Sequence, residues 1–341
     1  MAATSRELMY QTLNFENPAR APRDLLPLPY SIYKYPGAVE RIREEFPVDL
    51  TFAPCFLRTQ PKIEGNMFAV GRYVDEWGSR FTNMIEGIVG QVKDPLIKDW
   101  ATDVAKVHVP REQLTLERDQ VNRFCAETEL FVLAGGLPRP FEQLQFLRGS
   151  ANVYLDLMLR PPQMMAFLKE MHHFYCELLE VWARTDVDAL QLMDDWGSQR
   201  SLLVDPELWR ELFKPMYRDY AQIAHGAGKK CFMHSDGWIL PIYPDLIEVG
   251  IDAINSQIHC MGPDKLAPFA GQITFWGEID RQHLLPYGTN EDVDRAVREV
   301  HRHLWRSGGC IAECEFGIGP RPDNVRQVFA TWDEIFKQQK Q

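Results

Sequence analysis

Cys231-Phe232-Met233-His234-Ser235-Asp236-Gly237 is the stretch on which the reading of this chain turns. A short apolar run hands over to a histidine, and a carboxylate follows two residues later. Side chains two apart on a strand share a face, so His234 and Asp236 can point into one cavity and hold a divalent cation between them. Asp236-Gly237 then turns the backbone away from the sheet. An isolated His-x-Asp pair is equally well a hydrogen-bonded couple with no metal. What distinguishes this one is its place in a longer series.

From residue 129 onward the chain repeats one pattern. Apolar runs occur at 130–135, 188–193, 230–234, 251–255, 272–277 and 310–314. Helical segments are expected between them over 140–158, 161–184, 205–227, 240–249, 264–269 and 290–307. Asp205-Pro206-Glu207 gives one helix an N-cap, a first-turn proline and an early acid. Thr289-Asn290-Glu291-Asp292 opens another with acids, and Ser307-Gly308-Gly309 offers glycine for its C-cap. Strands alternating with helices indicate parallel βαβ units with right-handed crossovers.

An earlier run, VDLTFAPCFL at 48–57, reads as the first strand, and 71–95 as a β-hairpin excursion. Seven strands are then in hand. The eighth is sought near 105–110 or in the poorly periodic region before 125. A closed (β/α)8 TIM barrel follows, as one domain over 1–341 with residues 1–45 as an N-terminal extension. A doubly wound open sheet is the alternative, but no G-x-G-x-x-G follows the first strand.

Composition narrows the function. A net charge of −11 speaks against nucleic-acid or anionic-membrane partners. No apolar run reaches the roughly 18 residues that span a bilayer, and the start lacks a basic then apolar leader. The 7 cysteines are scattered without a C-x-x-C, which suits a reducing cytoplasm.

In a parallel barrel the chemistry gathers at the C-terminal ends of the strands. Here those ends carry Asp194 and Asp195, His234 and Asp236, Asn255 and Gln257, Glu278 and Asp280, then Glu313, Cys314 and Glu315. Polar residues follow any strand into a loop, but five successive strands delivering acids, His and Cys to one rim point to a site. Asp194 and Asp195 either share a cation or proton in one pocket, or divide the work, one facing inward and one capping a neighbouring segment. Cys314 is a soft ligand or a small buried hydrophobe.

These residues carry a resemblance. Asp194-Asp195-Trp196-Gly197-Ser198-Gln199, His234-Ser235-Asp236-Gly237, Gly277-Glu278-Ile279-Asp280 and the late Gly308-Gly309 to Pro322-Asp323-Asn324-Val325 resemble the uroporphyrinogen decarboxylase superfamily. So do Ser5-Arg6-Glu7, Arg20-Ala21-Pro22 and Asp75-Glu76-Trp77-Gly78 nearer the start. The resemblance implies a (β/α)8 barrel and one of two chemistries. Decarboxylases of that superfamily grip a tetrapyrrole's acids with an N-terminal arginine-bearing segment; Pro27-Leu28-Pro29-Tyr30-Ser31 stands there instead. The other branch moves methyl groups between a corrinoid protein and a thiol or pterin, the thiol type using zinc on His-x-Cys and a later Cys. His234 matches the first ligand, Asp236 replaces the Cys, and Phe316 replaces the last, with Cys314 and Glu315 adjacent.

The resemblance thus implies a methyltransferase acting between a corrinoid protein and a small acceptor. A divalent metal, zinc or a harder ion, would sit on His234, Asp236 and Cys314. Asp194, Glu278, Asn255 and Gln257 are the expected catalytic groups. The alternatives are a decarboxylase of a tetrapyrrole or other polycarboxylate, without cofactor, and a non-catalytic corrinoid- or tetrapyrrole-binding protein. A small-molecule substrate, a corrinoid-binding protein and a homodimeric copy are the expected partners.

Overall fold

Residues 3–338 are described by a computed structural model of the chain. Eight short strands line up in parallel: β1 (Arg23–Pro27), β2 (Leu50–Phe52), β3 (Phe131–Leu133), β4 (Ala189–Met193), β5 (Lys230–Ser235), β6 (Ala253–Ser256), β7 (Thr274–Gly277) and β8 (Cys310–Phe316). Their order around the sheet is β1, β8, β7, β6, β5, β4, β3, β2. The remaining seam, between β1 and β2, has no ladder. Asp49 bridges it: its amide donates to Arg23 O (2.9 Å) and its carboxylate accepts from Arg23 N (2.7 Å). Arg20 grips the same carboxylate with two nitrogens (2.6 and 2.8 Å). The result is a nearly closed (β/α)8 barrel.

The eighth strand is therefore not near 105–110. Residues there form two 3-10 turns, Val104–Lys106 and Arg111–Thr115, and the missing strand is Arg23–Pro27. The excursion at 71–95 is an antiparallel sheet of three strands, Gly71–Val74, Arg80–Asn83 and Gln91–Val92.

Alternation along each strand builds two cores. Leu50, Phe131, Leu133, Ala189, Phe232, Ala253, Trp276 and Ile311 fill the barrel, and Met9 and Leu13 plug it from below. Both plug residues belong to helix α1 (Ser5–Leu13), which starts on a Thr4 capping box. Arg6 and Tyr10 of α1 bind Asp188, just before β4, fixing the plug at the N-terminal end of the strands. The opposite parity, including Leu190, Cys231, Met233, Ile254 and Ala312, packs outward on the helices.

The expected helix over 140–158 is two helices broken at Gly149 (φ +84°), the first being α2 (Pro140–Arg148). α3 (Pro162–Ala183) is one long helix. The segment 205–227 breaks at Phe213, and its second part is α4 (Lys214–Gly226). The helix from Asn290 ends at Leu304 without a glycine cap, because Trp305 is already extended. Ser307, Gly308 and Gly309, all at positive φ, instead form the turn into β8. A Cβ on Gly308 would fall 2.8 Å from Thr12 O, so the turn packs on bare backbone. No helix among the described residues is long and apolar enough to cross a membrane.

Candidate metal centre

β5 ends with His234 on the inward face. Its Nδ1 bonds Asn255 Oδ1 on β6 (2.5 Å), and Asn255 is itself held by donating to Trp276 O (2.6 Å). An amide oxygen only accepts, so Nδ1 carries a hydrogen and Nε2 faces the cavity. There Nε2 meets Asp195 Oδ1 at 3.4 Å and Asp236 Oδ1 at 3.9 Å. One ligand atom from each of the three residues lies within 4.8 Å of the others.

A tetrahedral ion with ligands at about 2.0–2.1 Å sets them roughly 3.3 Å apart. The first separation fits and the second must close by about half an ångström. Asp236 Oδ1 is buried and has no hydrogen-bond partner among the described residues, which is the state expected of an atom placed for an ion. One nitrogen and two carboxylate oxygens suit zinc or a harder divalent ion and leave coordination positions open.

The backbone holds this geometry firmly. Asp236 N donates to Asp195 Oδ1 (2.9 Å), and Gly197 N donates to Asp236 O (3.0 Å). The loops after β4 and β5 cross at Gly197 and Gly237. Gly237 sits at φ +79°, and a Cβ there would lie 2.3 Å from the Gly197 carbonyl. Only glycine fits such a contact.

Arg281 organises the other side. Its guanidinium binds Asp236 Oδ2 (2.5 Å), Glu315, and Glu278 (3.4 Å). Glu278 is buried, and burial lifts its carboxyl to about 8 despite Arg281, with Asp236 and Glu315 adding to the rise. Burial likewise lifts Glu142 to about 7, against the pull of Arg139. Burial alone would strip the charge from His234, but Asp195 and then Asp236 outweigh it and hold the ring near 10. Deeper in the barrel, Glu313 is pushed well above the usual range by burial and by Glu278, and its Oε2 has no partner among the described residues. The mouth is thus rich in acids, with Arg139, Arg281 and His234 as the cations facing them.

The structure brings several of the expected residues together. His234, Asp236 and Asn255 converge, and Glu278 and Gln257 line an adjoining cavity of about 190 Å³ with Gln199, His259 and Arg281. Two do not. Asp194 lies on the opposite parity from Asp195 and points outward. It is fully buried, accepting Phe141 N (3.0 Å), Glu142 N (2.7 Å) and Tyr217 OH (2.6 Å). It therefore caps α2, and the inward carboxylate is Asp195. Cys314 is also on the outward parity, buried against the helix layer, while Glu313 and Glu315 face in. It takes no part in the cluster. Arg281 and Glu142 carry no spacing signal in the sequence, one standing in a loop and the other in the first turn of a helix.

The chain superposes on a methyltransferase from Methanosarcina mazei with a TM-score of 0.66 at 14% identity, covering 98% of this chain and 99% of that one. A B12-independent methionine synthase from Shewanella sp. W3-18-1, in complex with selenomethionine, gives a TM-score of 0.42 at 10% identity, covering 88% and 86%. A comparison with curated protein sequences gave no significant match. Residues 82–335 match the family model described as uroporphyrinogen decarboxylase (URO-D), and the chain belongs to that family.

Proposed function

We propose that this chain is a metal-dependent methyltransferase that moves a methyl group between a corrinoid-binding protein and a small-molecule acceptor. The observation that carries this reading is the convergence of Asp195, His234 and Asp236 on one point, with an orphaned oxygen aimed at it. The fold it shares with the Methanosarcina methyltransferase over nearly the whole chain supports the same choice. A divalent ion there would lower the pKa of an acceptor group bound at its open position. The chain's own residues do the rest. Asn255 fixes the ring so that Nε2 faces inward, Arg281 orients Asp236, and Glu278, with its carboxyl near 8, can take up or release a proton beside the cluster.

The polycarboxylate alternative fits the site less well. Arg281 is already engaged by three carboxylates and Arg139 by Glu142 (3.2 Å). Further carboxylates brought among these acids would meet like charge in a partly buried space.

The test is methyl transfer from methylcobalamin to a panel of thiols, amines and hydroxylated acceptors. Metal-loaded wild type should demethylate the corrinoid with at least one of them, and Asp195→Ala should not. Equal rates for the two, or anaerobic decarboxylation of uroporphyrinogen at ordinary enzymatic turnover, would overturn the reading.

A further inference from the structure

A second cavity, of about 310 Å³, opens beside Arg139. It is formed by the ends of β2 and β3, the inner side of α3 and the start of the three-stranded excursion. Its floor depends on Gly135 and Gly136. A Cβ on Gly136 would lie 2.6 Å from Trp182 Nε1, so the indole edge rests against bare backbone. Trp182 is 1% exposed and lines the cavity with its Nε1 edge beside Gly136. Tyr175 and Trp77 add two further aromatic walls, their centroids 5.8 Å apart. Ile63, 47% exposed, stands at the rim.

The polar groups are few and mixed. Arg139 spends one nitrogen on Glu142 and keeps other donors for the cavity it lines. Glu76 also lines it and accepts from Gln113 Nε2 (3.2 Å). One cation and one anion face the same space. A charged ligand would meet a like charge, whereas a neutral hydroxyl can accept from Arg139 or Trp182 and donate to Glu76. An apolar cavity of about 150 Å³ already holds benzene, and this one has room for a substituted ring.

We propose that this cavity binds an uncharged molecule built on one hydroxylated aromatic ring. The cavity lies close to the candidate metal centre: Arg139 binds Glu142, whose amide is capped by Asp194, the residue before Asp195. Whether the ring takes part in methyl transfer rests on the reading above; its binding does not.

Calorimetric titration of the full chain with phenol, benzoate and cyclohexanol tests this, with and without metal. Phenol should bind saturably, at least tenfold more tightly than benzoate or cyclohexanol, and equally well to metal-stripped protein. Ile63→Trp should close the rim and weaken binding at least tenfold with unchanged thermal stability. Trp182→Phe keeps a ring and loses the donor, and should weaken binding about fivefold. Saturable binding by none of the three probes overturns the proposal, as does a preference for benzoate. So does undiminished phenol binding by Ile63→Trp. Failure here with methyl transfer intact would leave the metal-centred reading standing.

Discussion

Asp194 and Asp195 are neighbours in sequence, and the structure gives them opposite fates. Replacing Asp194 with Ala removes the acceptor of two helix amides, Phe141 N and Glu142 N, and of the Tyr217 hydroxyl, all in a fully buried place. Each of the three stranded donors, the two capped helix amides among them, costs about 1–2 kcal/mol. The sum is about 4 kcal/mol. An unfolding entropy near 2.1 cal/mol/K per residue makes that a fall of about 6 °C in Tm for a chain of this length. Burial lifts the Asp194 carboxyl to about 8, even against its three donors. A raised folded value means that this group's contribution is fullest at acid pH and falls away as pH rises toward 8. The Asp194→Ala deficit should therefore be larger at pH 5 than at pH 8.5. Asp195→Ala, by contrast, strands one backbone donor, Asp236 N, in a part-exposed place and leaves His234 free to shed its proton, so its Tm should change by no more than about 2 °C while metal binding is lost. Differential scanning calorimetry and metal analysis on the two variants decide the matter. Loss of metal with unchanged Tm in Asp194→Ala, or a 6 °C drop in Asp195→Ala, would refute the division.

Three further outcomes are expected. Arg281→Met leaves Asp236, Glu278 and Glu315 without their shared cation, and breaking such a buried network costs about 3–5 kcal/mol; the loss should shrink as pH falls from 8 to 5 and Glu278, lifted to about 8, takes up its proton, read by urea unfolding at pH 5 and 8. Burial raises Asp24 to about 6, against the bond from Trp276 Nε1, so its favourable term is complete below the unfolded value near 4 and is lost as pH rises through 6. Asp24→Asn should flatten that slope, a difference of about 3 kcal/mol at pH 7.5, seen by denaturant titration across pH 4.5–7.5. Gly237→Ala sets a Cβ 2.3 Å from Gly197, and the forced shift of the His234–Asp236 loop should weaken metal affinity at least tenfold, read by competition with a chromophoric chelator.

The barrel was legible because its strands are short apolar runs spaced by helices with caps and first-turn acids. β1 escaped because Arg23–Pro27 offers only two apolar residues before a proline, so burial and the β8 ladder, not local pattern, make it a strand. The site was legible to the level of which strand ends carry it. Which of two adjacent residues faces in was not. Parallel strands are buried on both faces, so hydropathy does not alternate along them. Asp194 against Asp195, and Cys314 against Glu313 and Glu315, turn on parity that only the packed barrel fixes. The Asp-Asp pair did carry one hint, since two adjacent carboxylates on a strand end must point opposite ways. Arg281 had no such hint; it reaches three strands' acids from a loop.

The most direct measurement is the absorption spectrum of the chelator-stripped protein titrated with Co2+. Wild type should take up one equivalent per chain and develop d–d bands of a site with nitrogen and oxygen ligands, without the intense near-ultraviolet band of cobalt–thiolate. Asp195→Ala and His234→Ala should give the spectrum of free hydrated Co2+. A wild-type titration indistinguishable from those two variants, or a thiolate band from Cys314, would contradict the assignment of Asp195, His234 and Asp236 as the metal centre.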